Sequence, residues 1–225
     1  MQVISVNVAR PHASQWNGDG TQTGIDKRAV VGPVAVTAPD PSAPGAVGLA
    51  GDQVFDVAHH GGTDQAVYAY AREDLDVWER RLGRELPGGV FGENLTTRGI
   101  DLAGALIGER WRIGLDVVLE VSCPRIPCGT FQGWLERAGW IKEFTQAALP
   151  GAYLRVIEGG EVAAGDPIEV VHRPGHLVSV ALTFRALTLE PDLLPLLLVA
   201  DALPRKDRDL VRRRTGTLSR RTARE

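Results

Sequence analysis

Sulfur is scarce in this sequence, with two cysteines and one methionine among 225 residues. Two cysteines cannot make a disulfide framework, and no second Cys or His pair stands at the spacing of a zinc site. Long apolar runs are missing too. Leu193 to Ala200 is among the longest, well short of the ~20 residues that cross a bilayer. No charged-then-apolar segment opens the chain, no glycine pattern matches a dinucleotide or P-loop fingerprint, and no cysteine cluster suits an iron–sulfur centre. The expected setting is a reducing cytoplasm, away from membranes. Aromatic residues are absent from Arg205 to Glu225, where nine Lys or Arg stand against three acids although the whole chain carries −3. With nothing there to stack on bases, and an acidic body that repels phosphate, nucleic-acid binding is rejected as the main function. The basic end reads as a solvated terminal helix.

Glycine and proline are plentiful, 26 and 14, which favours short strands joined by many turns. The apolar fraction of 44% and charged fraction of 24% fit one sizeable domain with a small appendage. Strands are expected at Gln2 to Val8, Ala29 to Thr37 (broken at Gly32-Pro33), Leu106 to Ile113 and Val117 to Ser122, with a further extended stretch at Gly51 to Asp56. Leu75, Trp78 and Leu82 recur at helical spacing, so Arg72 to Leu82 is expected to be a helix with acids leading and arginines trailing. Two short helices are expected at Phe131 to Ala138 and Ile141 to Ala148. Tyr153 to Ile157, a Glu158-Gly159-Gly160-Glu161 turn and Val162 to Val171 read as a hairpin. After Arg173-Pro174-Gly175 the chain turns Leu-rich and then charged, which suggests about three helices. The expected division is a β-rich domain over 1–172 and a small helical extension with its basic tail over 173–225.

Four loop clusters punctuate these elements: Thr23-Gly24-Ile25-Asp26-Lys27, His60-Gly61-Gly62-Thr63-Asp64, Gly89-Val90-Phe91-Gly92-Glu93-Asn94, and Pro124-Arg125-Ile126-Pro127-Cys128. Glycine turns expose consecutive N–H groups and can cradle anions. In the last cluster two prolines stiffen the backbone on either side of Arg125 and hold the Cys128 thiol at a defined point. A cation three residues away favours the thiolate. Such a sulfur suits a soft metal ligand or a nucleophile better than a packing role. Cys123 reads as a small buried hydrophobe. The adjacent His59 and His60 point opposite ways on an extended segment, so a shared metal is awkward and a pocket hydrogen bond from His60 fits better. Singly, Asp64, Glu93 and Asn94 read as turn or cap residues.

In this order the clusters, with Arg72-Glu73 and Ile107-Gly108-Glu109, resemble a MOSC domain, the C-terminal module of molybdenum-cofactor sulfurases, and within it the stand-alone YiiM-like branch. The resemblance implies a mainly β (α+β) fold, a β-barrel with helical decorations followed by the small helical extension. It implies a molybdenum cofactor ligated by Cys128, with Arg125 and Asn94 near it and Lys27, His60 and Asp64 as further candidates. Gln65 departs from the pattern, where lysine is usual, and Cys123 stands where a polar residue is common. Three roles are open. The first is a reductase of small N-hydroxylated compounds, fed by a separate reductase because the chain has no electron-transfer motif of its own. The second is a carrier of cofactor or of persulfide sulfur without turnover. The third is a degenerate barrel kept as an interaction module. The sulfurases' pyridoxal phosphate belongs to a larger domain and is not expected here.

Overall fold

The computed structural model describes residues 1–14, 16, 22–43 and 45–222, with side chains as far as Gly216. The middle of the Gly/Thr-rich loop and the basic side chains of Arg220, Arg221 and Arg224 lie outside these. In chain order the strands and helices are β1 (Gln2–Ala9), β2 (His12–Ala13), β3 (Gln22–Thr23), β4 (Lys27–Ala29), β5 (Val34–Val36), β6 (Val67–Ala71), α1 (Arg72–Leu82), β7 (Leu95–Arg98), β8 (Arg110–Ile113), β9 (Val117–Pro124), α2 (Gly129–Trp134), α3 (Trp140–Ala147), β10 (Ala152–Glu158), β11 (Gly160–Val162), β12 (Ile168–His172), α4 (Val180–Thr188) and α5 (Arg205–Thr222). Short 3-10 turns cover Thr63–Gln65 and Pro191–Val199.

The fold is mixed α+β. Eight strands form one sheet in the order β12-β8-β9-β10-β6-β7-β1-β4, antiparallel except for the parallel pair β6–β7. A parallel neighbour needs a crossover, and α1 supplies it, burying Leu75 and Trp78. That helix matches its expected span. Glu73 and Asp74 lie in its first turn, Arg80 and Arg81 in its last, and Gly83 closes it in the left-handed region at φ 65°. The N-terminal residues meet the start of β12, the edge strand at the other end of the order: Val3 N–H donates to Asp166 O, and Ile168 N–H to Met1 O, both at 2.9 Å.

Several expectations need correction. The stretch 29–37 is not one broken strand but the end of β4 and then β5, which lie in different sheets, and of 106–113 only Arg110–Ile113 is strand. Glu158 to Glu161 is no hairpin turn. Strand β10 lies between β9 and β6, β11 leaves to pair with β5, and β12 pairs with β8. Glycine is required at 159 because a Cβ there would lie 2.7 Å from Val36 O, so the residue serves a close approach to β5. Residues 51–56 form loop, and their polar groups go into the site described below. In β1 a bulge between Val3 and Ser5 breaks the simple alternation, so that Val3, Val6 and Asn7 are all buried. The strands β6 and β7 were not anticipated.

One apolar cluster joins the strands to Val180, Ala186, Leu194, Leu197 and Val211 of the C-terminal helices. Within that segment Pro195 has no N–H for an α-helical bond, which keeps Pro191–Val199 as a 3-10 turn. A second cluster is aromatic and contains Tyr68, Tyr70, Trp78, Phe91, Phe131, Trp140 and Phe144.

Candidate functional site

A cleft of about 100 Å³ opens between the loops that follow β3, precede β6 and β7, and follow β9. Its walls bring together Lys27, His60, Asn94, Arg125 and Cys128. Asp64 is elsewhere. Its carboxylate pairs with Arg155 at 2.6 Å and lies outside the cleft wall.

Cys128 is half-buried at the start of α2 in an extended conformation, φ −128° and ψ 172°. Burial alone pushes its thiol up. A hydrogen bond from His60, the charge of Arg125 and the Phe131 N–H outweigh that, and the thiol falls to about 6. It is therefore ionised at neutral pH and reachable from the cleft. Cys123 behaves oppositely: burial pushes it up to about 12, so it stays a neutral packing group.

Arg125 is the second chemical feature. It is 5% exposed, its guanidinium lies 3.8 Å from the Phe131 ring centroid and 5.3 Å from that of Tyr68, and one nitrogen donates to Phe91 O. Burial opposes its charge, but Tyr68, Tyr153 and Cys128 more than offset this and hold the guanidinium protonated. Its Nε has no hydrogen-bond partner among the described residues. A buried donor left unmade costs about 1–3 kcal/mol, so this cation is set to receive an acceptor.

Lys27 and Asn94 are committed within the protein. Both reach Asp52, which composition and spacing did not single out. Lys27 Nζ donates to its two oxygens at 2.5 and 2.6 Å, Asn94 Nδ2 to Oδ2 at 2.8 Å, and the Ala9 N–H to Oδ1 at 2.8 Å. Burial pulls the Lys27 ammonium down, against the pull of Asp52. The Asn94 side-chain oxygen accepts from the Tyr68 N–H at 3.0 Å, stitching the divergence point of β6 and β7. Glu93, fully buried, accepts from the Gly89 and Phe91 N–H groups and from Thr96, and so shapes the loop under Arg125. His60 lines the cleft, whereas His59 is exposed and turned to Asp56 at 2.9 Å.

The model of the MOSC domain matches residues 56–169, just over half of the chain and the part that carries His60, Asn94, Arg125 and Cys128. The chain belongs to the MOSC domain family. Among relatives, it is 32% identical over 178 residues to the uncharacterized protein YflK of Bacillus subtilis, spanning 79% of this chain and 76% of YflK. It is 31% identical over 165 residues to a Gibberella moniliformis protein named Reductase, spanning 72% of this chain but only 29% of that larger protein. The crystal structure of YiiM from Geobacillus stearothermophilus superposes with a TM-score of 0.75 at 27% identity, covering 95% of this MOSC chain and 98% of that one. No helix among the described residues is long and apolar enough to cross a membrane.

Proposed function

We propose that this MOSC protein binds the molybdenum cofactor through Cys128 and reduces small N-hydroxylated compounds with electrons from a separate reductase. One observation carries the reading: an ionised, reachable thiolate shares its cleft with a buried arginine whose Nε lacks an acceptor. Molybdenum is soft enough to favour sulfur ligands. A guanidinium binds phosphate oxygens well, and an anionic group at Arg125 would satisfy the orphaned donor. The residues present thus fit the cofactor at two points, metal and anion. Among the described residues no group of three His, Cys, Asp or Glu could hold a metal ion by itself, so a metal at Cys128 has to bring its other ligands with it.

When bound, the cofactor supplies two-electron redox chemistry and an open coordination position. The overall reduction converts N–OH to N–H and water, using two electrons and two protons. The protein's part is placement. His60 keeps the sulfur ionised, Arg125 holds the anionic end, and the Asp52 network with Lys27 and Asn94 fixes the wall between them. Similarity to a protein named Reductase supports turnover over simple carriage. The bonds from the N-terminal residues to the start of β12 support the barrel-type architecture of the resemblance. A free ionised thiol suits the reducing cytoplasm.

Purification from a host that makes the cofactor tests the reading. Wild-type protein is expected to carry stoichiometric molybdenum and to reduce an N-hydroxylated amidine with a chemical reductant, and Cys128→Ala to lose both. A metal-free wild type, or a Cys128→Ala protein that keeps metal and activity, overturns it.

A further inference from the structure

Cys128 stands in a wall between two spaces. Beside the cleft lies a second cavity of about 480 Å³, and the two share Asp56, His60, Gln65, Thr130 and Tyr153 as well as the cysteine. The opposite side of this cavity is built by the C-terminal extension, beyond residue 169 where the MOSC match ends: Leu187 of α4, with Lys206 and Asp207 of α5. Trp16 adds an aromatic face. With the Gln65 amide oriented to suit its neighbours, Lys206 Nζ donates to its oxygen at 3.2 Å while its nitrogen donates to His59 O at 3.2 Å. A cation from a distant helix therefore reaches the wall that carries the thiol.

We infer that this second cavity is the entrance and seat of the reducible compound, and that Lys206 and Asp207 select it. The occupant is a small flat molecule that offers a carbonyl or anionic oxygen to Lys206 and an N–H to Asp207, with one face against Trp16. The inference rests on the function proposed above, since it concerns the molecule that meets the centre at Cys128. The cleft side holds Arg125 with its unmet donor and is set for the anionic end of a cofactor. The cavity side is then the side of the cysteine left for a second molecule. Lys206 is exposed, meets the Gln65 amide and has Asp207 as its neighbouring carboxylate, so the two present a cation and an acceptor side by side.

The route can be read without any cofactor. In cofactor-free protein, Cys128 is alkylated with anionic iodoacetate and with neutral iodoacetamide, the modified cysteine being identified by mass spectrometry. The variants are Lys206→Glu and, at an exposed position of the cleft wall, Gln53→Glu. Charge reversal at Lys206 is expected to lower the iodoacetate-to-iodoacetamide rate ratio by about threefold or more at low salt, with the effect shrinking at high salt. Gln53→Glu should change the ratio less. An unchanged ratio in Lys206→Glu, or a larger drop in Gln53→Glu, overturns the inference. Molybdenum content separates the two readings. Loss of metal in Lys206→Glu alone would place the cofactor in this cavity and sink the inference, whereas a metal-free wild type sinks the proposed function and leaves the rate ratio to decide the route.

Discussion

Replacing Asp52 by asparagine should destabilise the fold far more than the change of one oxygen to NH₂ suggests. The Lys27 ammonium is 8% exposed and sits 2.5 and 2.6 Å from the two Asp52 oxygens. Those oxygens also take the Asn94 amide and the Ala9 N–H, each at 2.8 Å, so every lone-pair direction of the carboxylate faces a donor. Asparagine at 52 keeps the shape but turns an NH₂ toward one of those donors and removes the only charge that compensates the lysine in direct contact. Breaking a buried ion pair at one partner costs about 3–5 kcal/mol, a large part of a total domain stability of roughly 5–15 kcal/mol. Urea unfolding at pH 7, followed by far-UV circular dichroism, measures the loss. Lys27→Met in the same chain removes the stranded ammonium. The double variant should then recover to within about 2 kcal/mol of wild type, because the penalty belongs to the unpaired charge and not to the missing pair. A single-variant loss below about 1 kcal/mol, or a double variant as weak as the two singles summed, would refute the claim that these cleft residues are structural supports for one another.

Two pH effects follow from the other buried groups. Alkylation of Cys128 by iodoacetamide should be half-maximal near pH 6, the value its surroundings impose, and His60→Ala or Arg125→Met should move the midpoint up toward the ordinary thiol range, while Cys123 stays unmodified in the folded protein; a wild-type midpoint above about 8 contradicts the proposed geometry. Asp74 is raised to about 6, chiefly by burial and then by the charges of Asp101 and Glu73. A carboxyl raised on folding favours the folded state at low pH and loses that contribution as pH climbs from about 4 to 6. Asp74→Asn should therefore be more stable than wild type by about 1–2 kcal/mol at pH 7, the partial exposure of the group being allowed for, and close to it at pH 4. Equal stability at both pH values removes the argument.

The loops that line the cleft are legible in the sequence because each holds its own local cause. Prolines around Arg125 fix a thiol, and glycines bend a chain, whatever lies elsewhere. The helix α1 was legible for the same reason, since its apolar spacing, end charges and closing glycine all lie within its own span. Partner choice was not legible. The turn-like Glu158-Gly159-Gly160-Glu161 could not reveal that Val36, more than a hundred positions earlier, passes too close for a side chain at 159. Asp52 offered no signal either, because its partners come from Lys27, Asn94 and Ala9 on three separate segments. The motif resemblance implies an Asn94 near the cofactor, and only the packing of β6 against β7 uncovers its hold on Tyr68. Lys206 lies in a tail that composition describes as merely basic, and its position beside Gln65 arises from the way the last helix returns over the sheet.

The aromatic cluster beneath Arg125 also makes the molecule an optical instrument. Trp78 and Trp140 lie with ring centroids 4.6 Å apart at 61°, and Phe91 and Phe131 couple them to the guanidinium. Two indoles this close share their excited states, so the near-ultraviolet dichroism of the protein reads the rigidity of the ground on which the arginine rests. Any change in the packing around Arg125 would register in these native chromophores, without an attached dye.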